Sequence, residues 1–183
     1  MPEIRRIRTE ELKTADLRIG DKILLSGTVY TARDAAHKRI AAMLDAGEEP
    51  PFPLEGAVIY YAGPTPAPPG KPIGSCGPTT SGRMDPYAPR LLDLGLAGMI
   101  GKGERAKPVQ DAIVRNGAVY LCAVGGAGAL AARCIKSLEV IAFEDLGCES
   151  VKRLEIEDFP LVVCNDAHGG DLFSQGRAEY CHV

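Results

Sequence analysis

Gly77-Pro-Thr-Thr-Ser-Gly-Arg-Met-Asp85 decides how this chain is read. It follows a Pro/Gly-rich run over residues 63–77 and precedes an apolar pattern of helical spacing over residues 86–94. Gly77 and Pro78 set a turn, and Thr79, Thr80 or Ser81 is suited to cap a helix. A helix start turns free backbone N–H groups toward whatever faces it and so favours anions. Arg83 adds a planar, permanently charged fork that matches a carboxylate or phosphate. A capped helix with a surface arginine is the plainer reading of the same residues.

Upstream, residues 2–8 alternate charge with Ile, which suggests an edge strand, and residues 9–17 have a connecting character. Residues 21–30 read as a strand. Thr31 is placed to cap a helix over residues 32–46, with Ala35, Ile40, Ala41, Met43 and Leu44 as its apolar positions. Arg33 and His37 stand four apart, hence on one face near the helix start. An arginine opening a helix directly after a strand is a second candidate anion site. Pairing of Arg33 with Asp34 or another carboxylate, and solvation of His37, are the alternatives. Residues 57–61 are a buried strand by their continuous apolar run. The run 63–72 holds too much Pro and Gly for a helix or a central strand. It reads as an ordered active-site loop rather than a linker, because apolar strands continue on both sides and neither half has a full core.

Downstream, residues 96–100 form a short strand that runs into Gly101-Lys-Gly103 and a helix over residues 104–116. Glycine on each side of Lys102 lets the backbone approach a ligand closely. The spacing is not that of a Walker loop. Residues 118–124 are another buried strand. Gly125-Gly-Ala-Gly128 then opens a small-residue helix through Arg133, and close helix–strand packing accounts for its glycines better than a dinucleotide fingerprint. Residues 138–143, 151–157 and 159–164 suggest three further strands, with a turn over residues 145–150. The tail after Asp171 is weakly specified, and His168 and His182 are expected in solvent. Strands alternating with helices, with extra strands at both ends, predict one α/β domain over residues 1–183, a mixed sheet with helices packed on it.

At 183 residues the chain is large enough for a core of its own. A net charge of -3, no basic stripe and no Trp argue against a nucleic-acid partner. No apolar run reaches membrane-spanning length, and a charged N-terminus argues against a secretory signal, so no membrane association and a cytoplasmic location are expected. The six cysteines, Cys76, Cys122, Cys134, Cys148, Cys164 and Cys181, match no zinc or ferredoxin spacing. Cys122 and Cys164 lie in strand patterns as buried thiols. Cys76 stands in the loop before the Thr-Thr turn, where it can face the site.

Gly77-Pro-Thr-Thr-Ser-Gly-Arg-Met-Asp85 resembles the signature of the β-type catalytic domain of iron–sulfur hydro-lyases, the family of class I fumarate hydratases and L-tartrate dehydratases. Thr31-Ala-Arg-Asp-Ala-Ala-His37, Ile100-Gly-Lys-Gly103 and Gly125-Gly-Ala-Gly-Ala-Leu130 agree with it in order. The resemblance implies a swivelling β/β/α fold and a hydro-lyase reaction, either fumarate to (S)-malate or L-tartrate to oxaloacetate. It implies Thr79 as catalytic base and Arg33, Arg83 and Lys102 as ligands of a small dicarboxylate. His37, Asp85 and Thr80 are possible supports, since an unperturbed hydroxyl is a poor base and needs a cation or relay beside it. It further implies a [4Fe-4S] cluster held by the cysteines of a partner α subunit, with no metal ligand in this chain and an α2β2 assembly. A non-catalytic dicarboxylate-binding or assembly subunit is the reading from another class.

Overall fold

The structure is a computed structural model that describes residues 4–181. His182 and the first residues of the expected N-terminal strand lie outside that range. The elements are β1 (Arg5–Arg8), β2 (Lys22–Thr31), α1 (Asp34–Asp45), β3 (Val58–Tyr60), α2 (Ala88–Asp93), β4 (Gly98–Gly101), α3 (Lys107–Asn116), β5 (Val119–Cys122), α4 (Gly128–Cys134), β6 (Ile135–Ala142), β7 (Val151–Asn165) and α5 (Leu172–Tyr180).

The seven strands form one mixed sheet in the order β1-β2-β3-β4-β5-β7-β6, and a further β2–β7 pairing closes five of them into a barrel. β2, β3, β4 and β5 run parallel to their neighbours, and β7 is antiparallel to both β5 and β2. The expected sheet was a mixed one; its closure was not foreseen. Closure rests on strand length. The 10 residues of β2 and 15 of β7 each give one edge to two partners. β1 pairs along Ile23–Ser26 and β3 along Tyr30 and Thr31. Likewise β6 takes the first part of β7 and β5 the last.

The two strands expected over residues 151–157 and 159–164 are one strand. Asp158, with φ of 51°, absorbs the extra residue of a bulge. Its N–H is satisfied by Ser26 Oγ at 3.0 Å, so pairing with β2 resumes at Phe159 instead of ending. Alternation along the strands separates two cores. Ile23, Leu25, Val29, Val58, Tyr60, Ile100, Leu121, Leu154 and Phe159 share one cluster. Ile59, Tyr61, Met99 and Tyr120, on the opposite faces, meet Ala36 and Ile40 of α1, Leu91 and Leu92 of α2, and Val109 and Ile113 of α3.

Three helix boundaries differ from expectation. Thr31 does not cap α1: it ends β2, fully buried, and its hydroxyl accepts from Lys152 N at 3.1 Å across the closing seam. Arg33 is the N-cap residue and supplies no side-chain cap. No α-helix starts at the Thr-Thr turn; Thr80 precedes one 3-10 turn, Ser81–Met84, without a side-chain cap, and the short α2 follows. α3 begins at Lys107, with Pro108 in its first turn, and the free N–H of Ala106 before it is taken by Asp85 Oδ2 at 2.7 Å. The weakly specified tail contains α5, capped by Asp171, which accepts from Phe173 N.

Candidate functional site

Four parallel strands send the residues after them to the same end of the barrel: Arg33 after β2, Gly63 after β3, Lys102 after β4 and Gly125 after β5. Contacts join them around that rim. A methyl group placed on Gly63 would lie 2.8 Å from Arg33 Nη1, and one on Gly125 would lie 3.6 Å from Lys102 Cδ. These glycines leave room for the two cationic side chains to lie across the neighbouring strand ends. The segment from Pro78 to Ser81 crosses the same rim, since Thr79 N donates to Tyr61 O at 2.7 Å and Ser81 N to Lys102 O at 2.9 Å. Thr80 bridges to Lys102.

Arg33 and Arg83 converge on one carboxylate. Asp34 Oδ1 lies 3.2 Å from Arg83 Nε, and its Oδ2 lies 3.9 Å from Arg33 Nε. Glu149 stands 3.7 Å from Arg33 Nε on the other side. Arg33 Nε is buried and has no hydrogen-bond partner. The half-exposed Arg83–Asp34 pair is worth about 1 kcal/mol or less, so it holds the two side chains together only weakly. His37 is buried at 1% exposure, not solvated. Its Nδ1 and its backbone N both point to Arg33 O, at 2.9 and 2.8 Å. A carbonyl only accepts, so Nδ1 carries the proton and Nε2 is a buried lone pair without a partner. Burial first, and then the Arg105 charge, lower the His37 pKa to about 4 and keep the ring neutral. Its place is therefore to clamp the backbone that carries Arg33.

Arg105 is buried against Asp85, Tyr61 and Tyr120, and in the sequence it is only a charged residue near a helix start. Its side chain is fully enclosed, and Nε donates to Asp85 Oδ1 at 2.7 Å. Its guanidinium lies 5.3 Å from the Tyr61 ring centre and 4.9 Å from that of Tyr120. Both Asp85 oxygens are thus engaged, one by Arg105 and one by Ala106 N. Neither Asp85 nor His37 makes a hydrogen bond to Thr79 among the described residues. Lys102 is exposed, with no side-chain ion pair among the described residues.

Gly128 packs onto the Pro/Gly loop: a methyl there would lie 3.0 Å from Gly77 N, and Cys76 N donates to Gly128 O at 3.1 Å. Close packing thus accounts for Gly128, but against a loop and not, as expected, a strand. Cys76 faces the barrel core, not the rim; it is fully buried, and burial pushes its thiol up to about 12. Among the described residues no three His, Cys, Asp or Glu side chains converge as a metal site, so this chain's own side chains do not fit an iron–sulfur cluster. A cleft of about 490 Å³ lies between the Pro/Gly loop and α4, lined by Lys71, Ile73, Ala132 and Arg133, and it does not include the cationic rim. The rim is an open surface. No helix of the described residues is long and apolar enough to cross a membrane.

Residues 3–176 match the family model described as Fumarase C-terminus. The chain is 42% identical over 165 residues to "Fumarate hydratase class I, anaerobic" of Escherichia coli, covering 89% of this chain and 30% of that protein. It is 42% identical over 162 residues to "Fumarate hydratase 2" of Leishmania major, covering 87% and 28%. It is 38% identical over 169 residues to "Putative L(+)-tartrate dehydratase subunit beta" of Methanocaldococcus jannaschii, covering 87% and 85%. The chain therefore spans about a third of the fumarate hydratases it matches and most of the subunit beta.

Proposed function

We propose a function from one premise: the chain belongs to the Fumarase C-terminus family. The chain is the β subunit of a class I fumarate hydratase and takes part in the reversible hydration of fumarate to (S)-malate. The observation that supports this reading is the gathering of Arg33, Arg83, Lys102 and Thr79 at one barrel rim, with Asp34 standing between the two guanidinium groups. Arg33 and Arg83 hold carboxylates, and Lys102 holds the other carboxylate or the hydroxyl. Thr79 moves the proton at the substrate carbon, and Lys102 is taken as its supporting cation because the Thr80–Lys102 backbone bridge runs the two segments side by side. Thr80 supports that bridge, and Asp85 fixes the turn that carries Arg83.

The name of the Methanocaldococcus jannaschii relative, a subunit beta, supports a centre completed by a second chain. The reading assigns a [4Fe-4S] cluster to the cysteines of a partner α subunit in a cytoplasmic α2β2 complex. When bound, such a cluster supplies a Lewis acid for the substrate hydroxyl. The swivelling β/β/α description of the fold belongs to the same reading. A second reading is the β subunit of an L-tartrate dehydratase, supported by the name of the Methanocaldococcus jannaschii relative and its 38% identity over 169 residues. (S)-Malate and L-tartrate differ by one hydroxyl, which a few pocket groups decide.

The test is anaerobic affinity isolation of this chain from its source cells, followed by assays of fumarate hydration and L-tartrate dehydration on the complex. Thr79→Ala and Arg83→Ala are each expected to lower turnover by about 10²–10⁴-fold while the complex still assembles. Assembled variants with near-normal turnover would overturn the assignment of these residues. A wild-type complex inactive on both substrates would overturn the function.

A further inference from the structure

We infer that Ser81, Tyr120 and Arg105 form a buried positioning device that sets Lys102 and Thr79 against each other; this rests on the proposed hydro-lyase reading. The hydrogen bonds have only one consistent direction. Gly103 O only accepts, so the single Tyr120 hydroxyl proton goes to it, at 2.8 Å. Ser81 Oγ, 2.8 Å from Tyr120 Oη, must then donate to that oxygen. Ser81 Oγ in turn accepts from Lys102 N at 3.1 Å. The chain Lys102 N–H to Ser81 to Tyr120 to Gly103 O closes around the Lys102–Gly103 turn, with Ser81 fully buried. Arg105 joins this ring to the strand end that holds Thr79. It lies against the faces of Tyr61 and Tyr120, and its Nη2 donates to Tyr61 Oη at 3.4 Å. Tyr61 O is the acceptor for Thr79 N. One buried guanidinium thus braces the two tyrosines that carry the Thr79 and Lys102 segments, while Asp85 ties it to the turn of Arg83. None of the three residues reaches the open rim, so they are positioning residues and not catalytic ones.

The test uses the complex isolated through a tag on this chain, wild type and with Ser81→Ala, Tyr120→Phe or both. Each single variant is expected to lose about tenfold in kcat, with KM changed less, because displacing a reacting group by a fraction of an ångström mainly raises the barrier. The double variant is expected to lose no more than the worse single one, since both break the same chain. Amide hydrogen exchange of the complex supplies a readout independent of turnover: Lys102 N–H is expected to exchange at least tenfold faster in Ser81→Ala. Wild-type kcat in both variants, or multiplicative losses in the double variant, would overturn the inference. So would unchanged exchange at Lys102, including in a complex that lacks the proposed activity. If the wild-type complex is inactive on both substrates, the functional reading falls, and the exchange arm still decides whether the device exists.

Discussion

His37 shows how far one side chain can depart from its sequence pattern. Its i, i+4 spacing with Arg33 suggests a pair of polar side chains in solvent, yet the ring is buried between Tyr61 and Tyr87 and bonds to the Arg33 backbone. The groups that bear on its charge are Arg105, which opposes protonation, and Asp34 and the Arg33 carbonyl, which favour it. With a pKa lowered from 6.5 to about 4, the unfolded chain binds the proton first as pH falls. Stability is therefore complete above pH 6.5 and is lost progressively between 6.5 and 4, by up to about 3 kcal/mol at full linkage. His37→Gln is expected to flatten that part of the curve. Denaturant midpoints at pH 7 and pH 5 check this, and equal pH slopes in variant and wild type would refute it.

At the scale of elements, two glycines separate conformational need from spatial need. Gly117 ends α3 with φ of 61° and nothing within 4 Å of an added methyl, so only its backbone is at issue. Gly117→Ala is expected to cost about 1 kcal/mol and leave turnover alone. Gly101 ends β4 with an ordinary backbone, but an added methyl would lie 1.9 Å from Ser81 Oγ and 2.9 Å from Tyr61 Cδ2. Gly101→Ala is expected to cost about 1–3 kcal/mol and to lower turnover as well, because the side chain it displaces holds the Lys102 turn. Denaturation midpoints with steady-state rates on the complex check both. A silent Gly101→Ala would mean that Ser81 is free to move. The capping error at the Thr-Thr turn belongs here too. Thr79, Thr80 and Ser81 have the chemistry of a cap, and Thr80 does precede the 3-10 turn at Ser81, but it makes no side-chain cap and the segment's backbone is engaged by Tyr61 and Lys102 instead.

The whole molecule is held by the β2–β7 pair, which closes the barrel and carries β1 and β6 on its outer edges. Thr31 and Lys152 seal one end of that pair with a buried hydroxyl. β6 has a single neighbouring strand and only one fully buried residue, whereas β2 and β7 lie within the ring. Amides of β2 and of residues 159–165 are thus expected to exchange only on global unfolding, with β6 opening at lower free energy. Native-state hydrogen exchange measures this, and β6 protection equal to that of β2 would count against the ring as the stability unit.

The sequence by itself determined most element types and the family, and it pointed to four residues that the fold sets along one rim; α5 in the tail was not among its helices. Local periodicity marks strands and helices, and the motif around Thr79, with Arg33 and Lys102 after their strands, carries enough specific residues to be read without coordinates. Only the tertiary structure decided that the sheet closes, that β7 passes through Asp158 unbroken, and that Cys76 turns inward. It alone decided that Asp34 joins Arg33 to Arg83 and that Arg105 is enclosed beneath the rim. Each of these depends on what lies across a strand pair or a loop contact, between residues as far apart as Ser26 and Asp158. Spacing along the chain reports which face a residue presents, and it carries no record of what the fold sets against that face.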